Sequence, residues 1–188
     1  MSTLREIESA VSDGDCVLLP TETVWGLAAC ISSELGLLRI YDLKGRESDK
    51  PLAVCVGDVA RAEELAVLSD RARALAAAHW PGALTLVLPL RQPTSLPGGA
   101  TLDGTVALRC PDVGWREALL YAPLLLTSAN RSGAAPAITR EQAMAAFPGV
   151  PALEGFDTPT SRPSTIARVV GGRVEVLRPG PVAVEVSP

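Results

Sequence analysis

Apolar positions along this chain fall into short blocks whose period switches repeatedly. Leu4, Ile7, Ala10 and Val11 recur at helical spacing, and Gly14 is placed to end that helix. CVLLP at 16–20 reads as a short buried strand, and PTETVWGLAAC leaves it as a structured loop. Ser32 or Ser33 can cap a helix carrying Leu35, Leu38, Ile40, Tyr41 and Leu43. LAVCV at 52–56 is strand-like again, followed by a helical region, DVARAEELAVLSDRARALAAAHW, that breaks near Ser69. LTLVLPL at 84–90 predicts a strand, RQPTSLPGGATLDG a Pro/Gly loop, and TVALRC a strand of alternating character. GWREALLYA predicts a helix, PLLLTSAN a strand running into a turn, and TREQAMAAF a helix. STIARVV and RVEVLR flank Gly171-Gly172, a two-residue hairpin signal. Strands and helices alternate for most of the length, which predicts an α/β domain of two or three layers on a twisted mixed sheet. At 188 residues, with no linker, repeat or charge block, a single domain over 1–188 is expected.

Composition narrows the function classes. Hydrophobic residues are 47% and charged residues 20%, which excludes a disordered chain. The longest apolar stretches fall far short of the roughly 20 residues that span a bilayer, and MSTLREIESAVSDGD lacks the apolar centre of a signal peptide. A cytoplasmic protein without a membrane role is expected. Net charge is −4 and the sequence pI is near 5.1, a balance that argues against gripping nucleic acid as the main task. Four widely spaced cysteines and one histidine contain no C-x-x-C, so a metal cage is not expected, and Cys16, Cys55 and Cys110 read as buried thiols. Only two of seventeen cationic residues are lysines, Lys44 and Lys50, and both lie in KGRESDKP. In so Arg-rich a chain, the two can mark places where a compact ammonium is wanted.

Candidate chemistry sits at strand ends. PTETVWGL puts Thr21, Glu22 and Thr23 directly after a buried strand, where α/β sheets commonly open a site, although threonine hydroxyls also brace ordinary loops. Lys44, Arg46 and Lys50 can neutralise a triphosphate, or simply complement a helix C-terminus. The segment lacks the spacing of a Walker-type phosphate loop. Arg109 ends the strand TVALR and requires a carboxylate or phosphate partner, internal or ligand. TSANRSG, PSTI and LRPG each place polar groups at a strand end. With one histidine and no G-x-S-x-G, a Ser-His-Asp triad is not expected.

The order of these blocks carries more than any one of them. PTETVWGL, KGR-x3-KPL, HWPGALTLVL, TVALRCP, TSANRSG, STI and LRPGP, in that succession over about residues 14–181, resemble the YrdC-type threonylcarbamoyladenylate synthase family, in its short, single-domain form. The resemblance implies a twisted mixed sheet flanked by helices, with an open concave pocket. It implies condensation of L-threonine, bicarbonate or CO2, and ATP to threonylcarbamoyl-AMP and pyrophosphate, with Mg²⁺ accompanying ATP and no organic cofactor. The product would pass to a tRNA threonylcarbamoyltransferase, with tRNA contact weak or indirect.

Carried onto this sequence, the family's pattern makes Lys44 and Arg46 the electrostatic centre. It assigns Arg46, Lys50, Thr105, Ser128, Asn130 and Arg178 to ATP. It assigns Thr23, Arg109, Leu126 (through its backbone) and Ser164 to threonine, with Thr21, Thr165 and Cys55 as further candidates. Cys55 stands where relatives often carry histidine, and the usual K-x-R-P is KGRES here. Two alternatives remain at this level: an RNA-binding module of the same fold, and a paralogue acting on another carbamoyl or acyl substrate.

Overall fold

The computed structural model describes residues 2–45, 50–94, 96–154 and 160–186. The elements are α1 (Leu4–Ser12), β1 (Val17–Leu19), β2 (Gly26–Cys30), α2 (Glu34–Lys44), β3 (Ala53–Cys55), α3 (Val59–Leu65), α4 (Asp70–His79), β4 (Leu84–Pro89), β5 (Thr101–Leu102), β6 (Thr105–Arg109), β7 (Leu124–Ser128), α5 (Arg140–Ala146), β8 (Thr165–Val170) and β9 (Arg173–Arg178). The strands form one mixed sheet in the order β1-β2-β7-β3-β6-β4-β8-β9, with β5 pairing β6. Only β3–β6 and β4–β8 are parallel.

Local signals set the helix boundaries. Thr3 starts α1 in a reciprocal capping box with Glu6, and Ser33, Asp58, Ser69 and Thr139 each cap a helix by accepting a backbone N–H. Ser69 separates α3 from α4, as the sequence predicts. Gly171 and Gly172 take φ of 59° and 81°, the pair of positive values that a two-residue hairpin turn demands between β8 and β9.

Three expectations change. GLAAC is not loop but strand β2, buried between β1 and β7. Its small residues carry no β-branched signature, so burial between two neighbours makes the strand rather than propensity. REALL at 116–120 forms a 3₁₀ turn instead of an α-helix. In α2, Leu37, Ile40 and Tyr41 are buried while Leu35 and Leu38 face solvent.

Side-chain alternation divides the sheet into two faces. Leu18, Val54, Leu84, Leu86, Leu88, Val106, Leu108 and Leu125 point to the face covered by α2, α3, α4 and α5, where the main core lies. On the other face, Val17, Leu19, Leu124 and Leu126 pack under α1 and Trp115. That cover stops at β7 and β3. The opposite-parity residues of β6, β4 and β8 therefore line an open hollow.

The C-terminal LRPGP block closes this hollow's edge through a backbone contact. A Cβ on Gly180 would collide with the Thr165 backbone nitrogen and come within 2.6 Å of the Pro163 carbonyl oxygen. Gly180→Ala is therefore expected to destabilise the fold by about 1–3 kcal/mol, the usual range for overpacking. Urea unfolding checks this, with Gly133→Ala as a comparison that meets no neighbour and feels only its positive φ.

Candidate active site

The hollow on the uncovered face is a cavity of about 320 Å³. Its floor follows from register. Cys55 pairs with Arg109, Arg109 with Thr85, Thr85 with Ile166, and Ile166 with Arg178. Side chains at one register position share a face, so these five residues form a row across β3, β6, β4, β8 and β9. Thr21, Pro51, Leu126, Ser128 and Ser164 complete the walls. Residues from all seven ordered sequence blocks thus line one cavity. A second hollow of about 240 Å³, between α1 and the 3₁₀ turn, has an almost wholly apolar lining and no cationic group.

Arg109 is the most constrained charge. Its side chain is 7% exposed, and its Nη2 lies 2.8 Å from Glu22 Oε1. The same nitrogen donates to Thr23 Oγ1 at 2.9 Å, and Nε donates to the Gly82 carbonyl at 3.4 Å. The Thr21 hydroxyl donates to the Val24 carbonyl at 2.6 Å, and the two threonine hydroxyls stand 2.8 Å apart. Thr21 has a single hydroxyl proton, so Thr23 must donate to Thr21. A directional chain results: Arg109 to Thr23 to Thr21 to Val24. The sequence left open whether the partner of Arg109 is internal; it is Glu22, a residue outside the expected site.

Arg178 has different company. Its Nε and Nη2 donate to the Ser164 carbonyl at 3.1 and 2.8 Å, and Nη2 reaches Ser164 Oγ at 3.3 Å. Ser164 Oγ in turn lies 2.8 Å from Thr85 Oγ1. Partial desolvation and the positive charge of Arg109 lower the pKa of Arg178. Among the described residues no carboxylate stands within ion-pair distance of it.

The SAN turn is built from beneath. Lys44, at the end of α2, is 3% exposed. Its Nζ donates to the Ser128 carbonyl at 2.6 Å and the Asn130 carbonyl at 2.7 Å. Ser128 Oγ donates to Asn130 Oδ1, and Asn130 Nδ2 donates to the Arg131 and Ala134 carbonyls. Ser128 consequently lines the main cavity, while Asn130 faces a separate open depression on the far side of the turn.

Other expected residues distribute unevenly. Leu126 reaches the cavity with its side chain, because β7 has ladder partners on both edges, Ala28 and Ala53. Thr105 begins β6 away from the cavity and donates to the Leu102 carbonyl at 2.7 Å. Thr165 faces the C-terminal segment, donating to the Val182 carbonyl and accepting from the Val182 N–H. Lys50 is exposed next to Pro51 at the mouth. Arg46 lies outside the described residues. Cys55 is fully buried in the floor, and desolvation pushes its thiol up to about 12. No thiolate nucleophile is therefore present there at neutral pH.

Comparisons with known proteins give the family and the fold. The family model Sua5/YciO/YrdC, described as telomere recombination, matches residues 9–180. A threonylcarbamoyl-AMP synthase of Bacillus subtilis is 32% identical over 97% of this chain and 54% of its own length. One from Chromohalobacter salexigens is 36% identical over 93% of this chain and 96% of its own. The crystal structure of P. abyssi Sua5 complexed with L-threonine superposes with a TM-score of 0.87 at 32% identity, covering 94% of this chain and 53% of that one. The chain thus spans about half the length of the Bacillus and Pyrococcus relatives.

Two outcomes follow from this geometry. Lys44→Met leaves two buried carbonyls without their donor and is expected to cost about 2–4 kcal/mol of stability by urea unfolding; unchanged stability would free Lys44 for direct ligand contact. Cys16 and Cys55 have thiols pushed up to about 11 and about 12, against 9.0 when unperturbed. The folded state holds these protons more tightly, so stability is full below about pH 9 and falls as pH rises toward 11–12. Unfolding free energies measured from pH 7 to 10.5 should decline from about pH 9 onward.

Proposed function

The chain belongs to the Sua5/YciO/YrdC family, and from that premise we propose that it is a threonylcarbamoyl-AMP synthase joining L-threonine, CO2 and ATP. One observation carries the reading: the ordered motif blocks, far apart in sequence, meet around a single cavity with two arginines, Arg109 and Arg178, separated along its floor. The names of the relatives and the threonine-bound neighbour support the same assignment.

The chemistry requires two bond-forming steps. The threonine amine adds its lone pair to the carbon of CO2 and loses a proton, giving a carbamate. A carbamate oxygen then attacks the α-phosphorus of ATP as the bond to the β-phosphate oxygen breaks, and pyrophosphate leaves with that electron pair. Neither step needs a side-chain nucleophile. The protein's contribution is positioning and charge stabilisation. Arg109 would meet the threonine carboxylate through Nη1, its other nitrogens being engaged by Thr23, Glu22 and the Gly82 carbonyl. Arg178, with Ser164 and Ser128 nearby, would face the phosphates, joined by Lys50 from the mouth, and the family's pattern adds Arg46 to the same role. Lys44 would act by shaping the SAN turn.

Magnesium would arrive with the triphosphate. Among the described residues no three His, Cys, Asp or Glu side chains cluster as a cage, and Mg²⁺ is commonly held largely by substrate phosphates and water. The mixed anhydride product would be consumed by a transferase that modifies tRNA. Among the described residues no helix is long and apolar enough to cross a membrane.

Substrate saturation distinguishes this reading from a surface role for the cations. Pyrophosphate release should require both threonine and bicarbonate. Arg109→Ala would strand Glu22 as a buried unpaired carboxylate, costing about 3–5 kcal/mol of stability. Arg109→Lys is the cleaner probe, because it keeps the charge and loses the fork. It should raise the KM for threonine about tenfold, equivalent to ~1.4 kcal/mol, and change the KM for ATP much less. Arg61→Ala, which removes an exposed ion pair with Glu64, should be near silent. Equal responses at positions 109 and 61 would remove Arg109 from the site.

A further inference from the structure

The two arginines of the cavity floor are three strands apart in one register row, about 14 Å between backbones at the usual strand spacing. They differ in their charged company. Arg109 is neutralised by Glu22, whereas among the described residues Arg178 is held by the uncharged oxygens of Ser164. The Glu22 side chain is 14% exposed, and neither of its carboxylate oxygens accepts a well-formed hydrogen bond among the described residues. A buried carboxylate is costly unless it is paired, and the partner of Glu22 is Arg109.

We infer that Glu22 is a specificity-determining residue that makes the Arg109 end of the cavity select a zwitterionic amino acid and reject plain anions, leaving the polyanionic nucleotide to the Arg178 end. The inference rests on the proposed synthase reading and deepens it.

The electrostatic argument is a count of charge in a poorly solvated space. Arg109 and Glu22 together are neutral. A carboxylate arriving alone would leave the cluster at −1 in a buried site, which costs desolvation without compensation. An α-amino acid brings an ammonium with its carboxylate, so the cluster stays neutral while the carboxylate meets the remaining guanidinium nitrogen, Nη1. A phosphate chain would bring several negative charges and is disfavoured further. At the other end, the charge of Arg178 has no acidic partner among the described residues, and an anion there is stabilised. Two substrates that both carry anionic groups are thereby directed to opposite ends of one row, which sets the threonine amine between its own carboxylate site and the phosphates.

Titration calorimetry with L-threonine and with 3-hydroxybutyrate, the same skeleton without the amine, reads the effect. The native protein should prefer L-threonine by at least tenfold. Glu22→Gln should reduce that preference at least tenfold, because the plain acid now neutralises Arg109 while the zwitterion leaves it charged. Inorganic pyrophosphate should begin to compete with threonine in this variant. Glu22→Asp, which keeps the charge, should retain the native order of preference. If Glu22 only braces Arg109, both ligands weaken together in Glu22→Gln and the ratio stays fixed; that result overturns the inference while leaving the synthase reading intact. Failure of the native protein to bind L-threonine overturns both.

Should Glu22→Gln not fold, Arg178→Gln tests the other half. It should weaken binding of a non-hydrolysable ATP analogue at least tenfold and threonine less than twofold. Equal losses for both ligands contradict the sorting.

Discussion

A pleated strand sends successive side chains to opposite faces, and in this protein only one of those faces is wholly covered. Everything about the cavity depends on that asymmetry. Leu84, Leu86 and Leu88 can pack under helices only if Thr85 and Val87 point the other way. Val106 and Leu108 likewise oblige Ala107 and Arg109 to face the hollow. A shift of one residue in β6 or β4 would bury the arginine under α4 and expose leucine to water, so hydrophobic patterning and site geometry are the same constraint.

The second consequence is electrostatic. Placing Arg109 at the end of a central strand, nearly out of solvent, creates a charge that water cannot satisfy. The loop after β1 resolves it with Glu22 and the Thr23–Thr21 hydroxyl chain. That loop's sequence is thus tied to a residue 86 positions away in the chain. Lys44 solves the converse problem, bringing an ammonium to the carbonyls of a turn that must hold Ser128 against the cavity. Neither role is visible from one segment alone, because each joins elements that meet only through the sheet.

This explains what was legible in the sequence. The helix cap at Ser33, the helix break near Ser69, the Gly-Gly hairpin and the apolar run of β4 are local signals, and the structure follows them. Strand β2 was illegible because Gly26, Ala28 and Ala29 have no strand signature; its neighbours make it a strand. The motif order located the cavity, and the Arg109, Ser128, Ser164 and Arg178 positions converge there. Lys44, Thr105 and Thr165 carry plausible ligand groups in sequence, yet backbone carbonyls from other elements engage all three. Glu22 stands out in sequence as a polar group after a buried strand, but its role is invisible until Arg109 is seen beside it.

On the proposed reading, this cavity joins threonine to the α-phosphate of ATP through a carbon taken from bicarbonate. Incubating the protein with L-threonine, ATP, magnesium and ¹³C-bicarbonate, then analysing the nucleotides at once by mass spectrometry, follows that carbon. A threonine–AMP conjugate carrying the heavy carbon is expected, and it breaks down to AMP on standing. ATP consumed to AMP and pyrophosphate with no labelled conjugate, or a conjugate of AMP and threonine lacking that carbon, would contradict that reading.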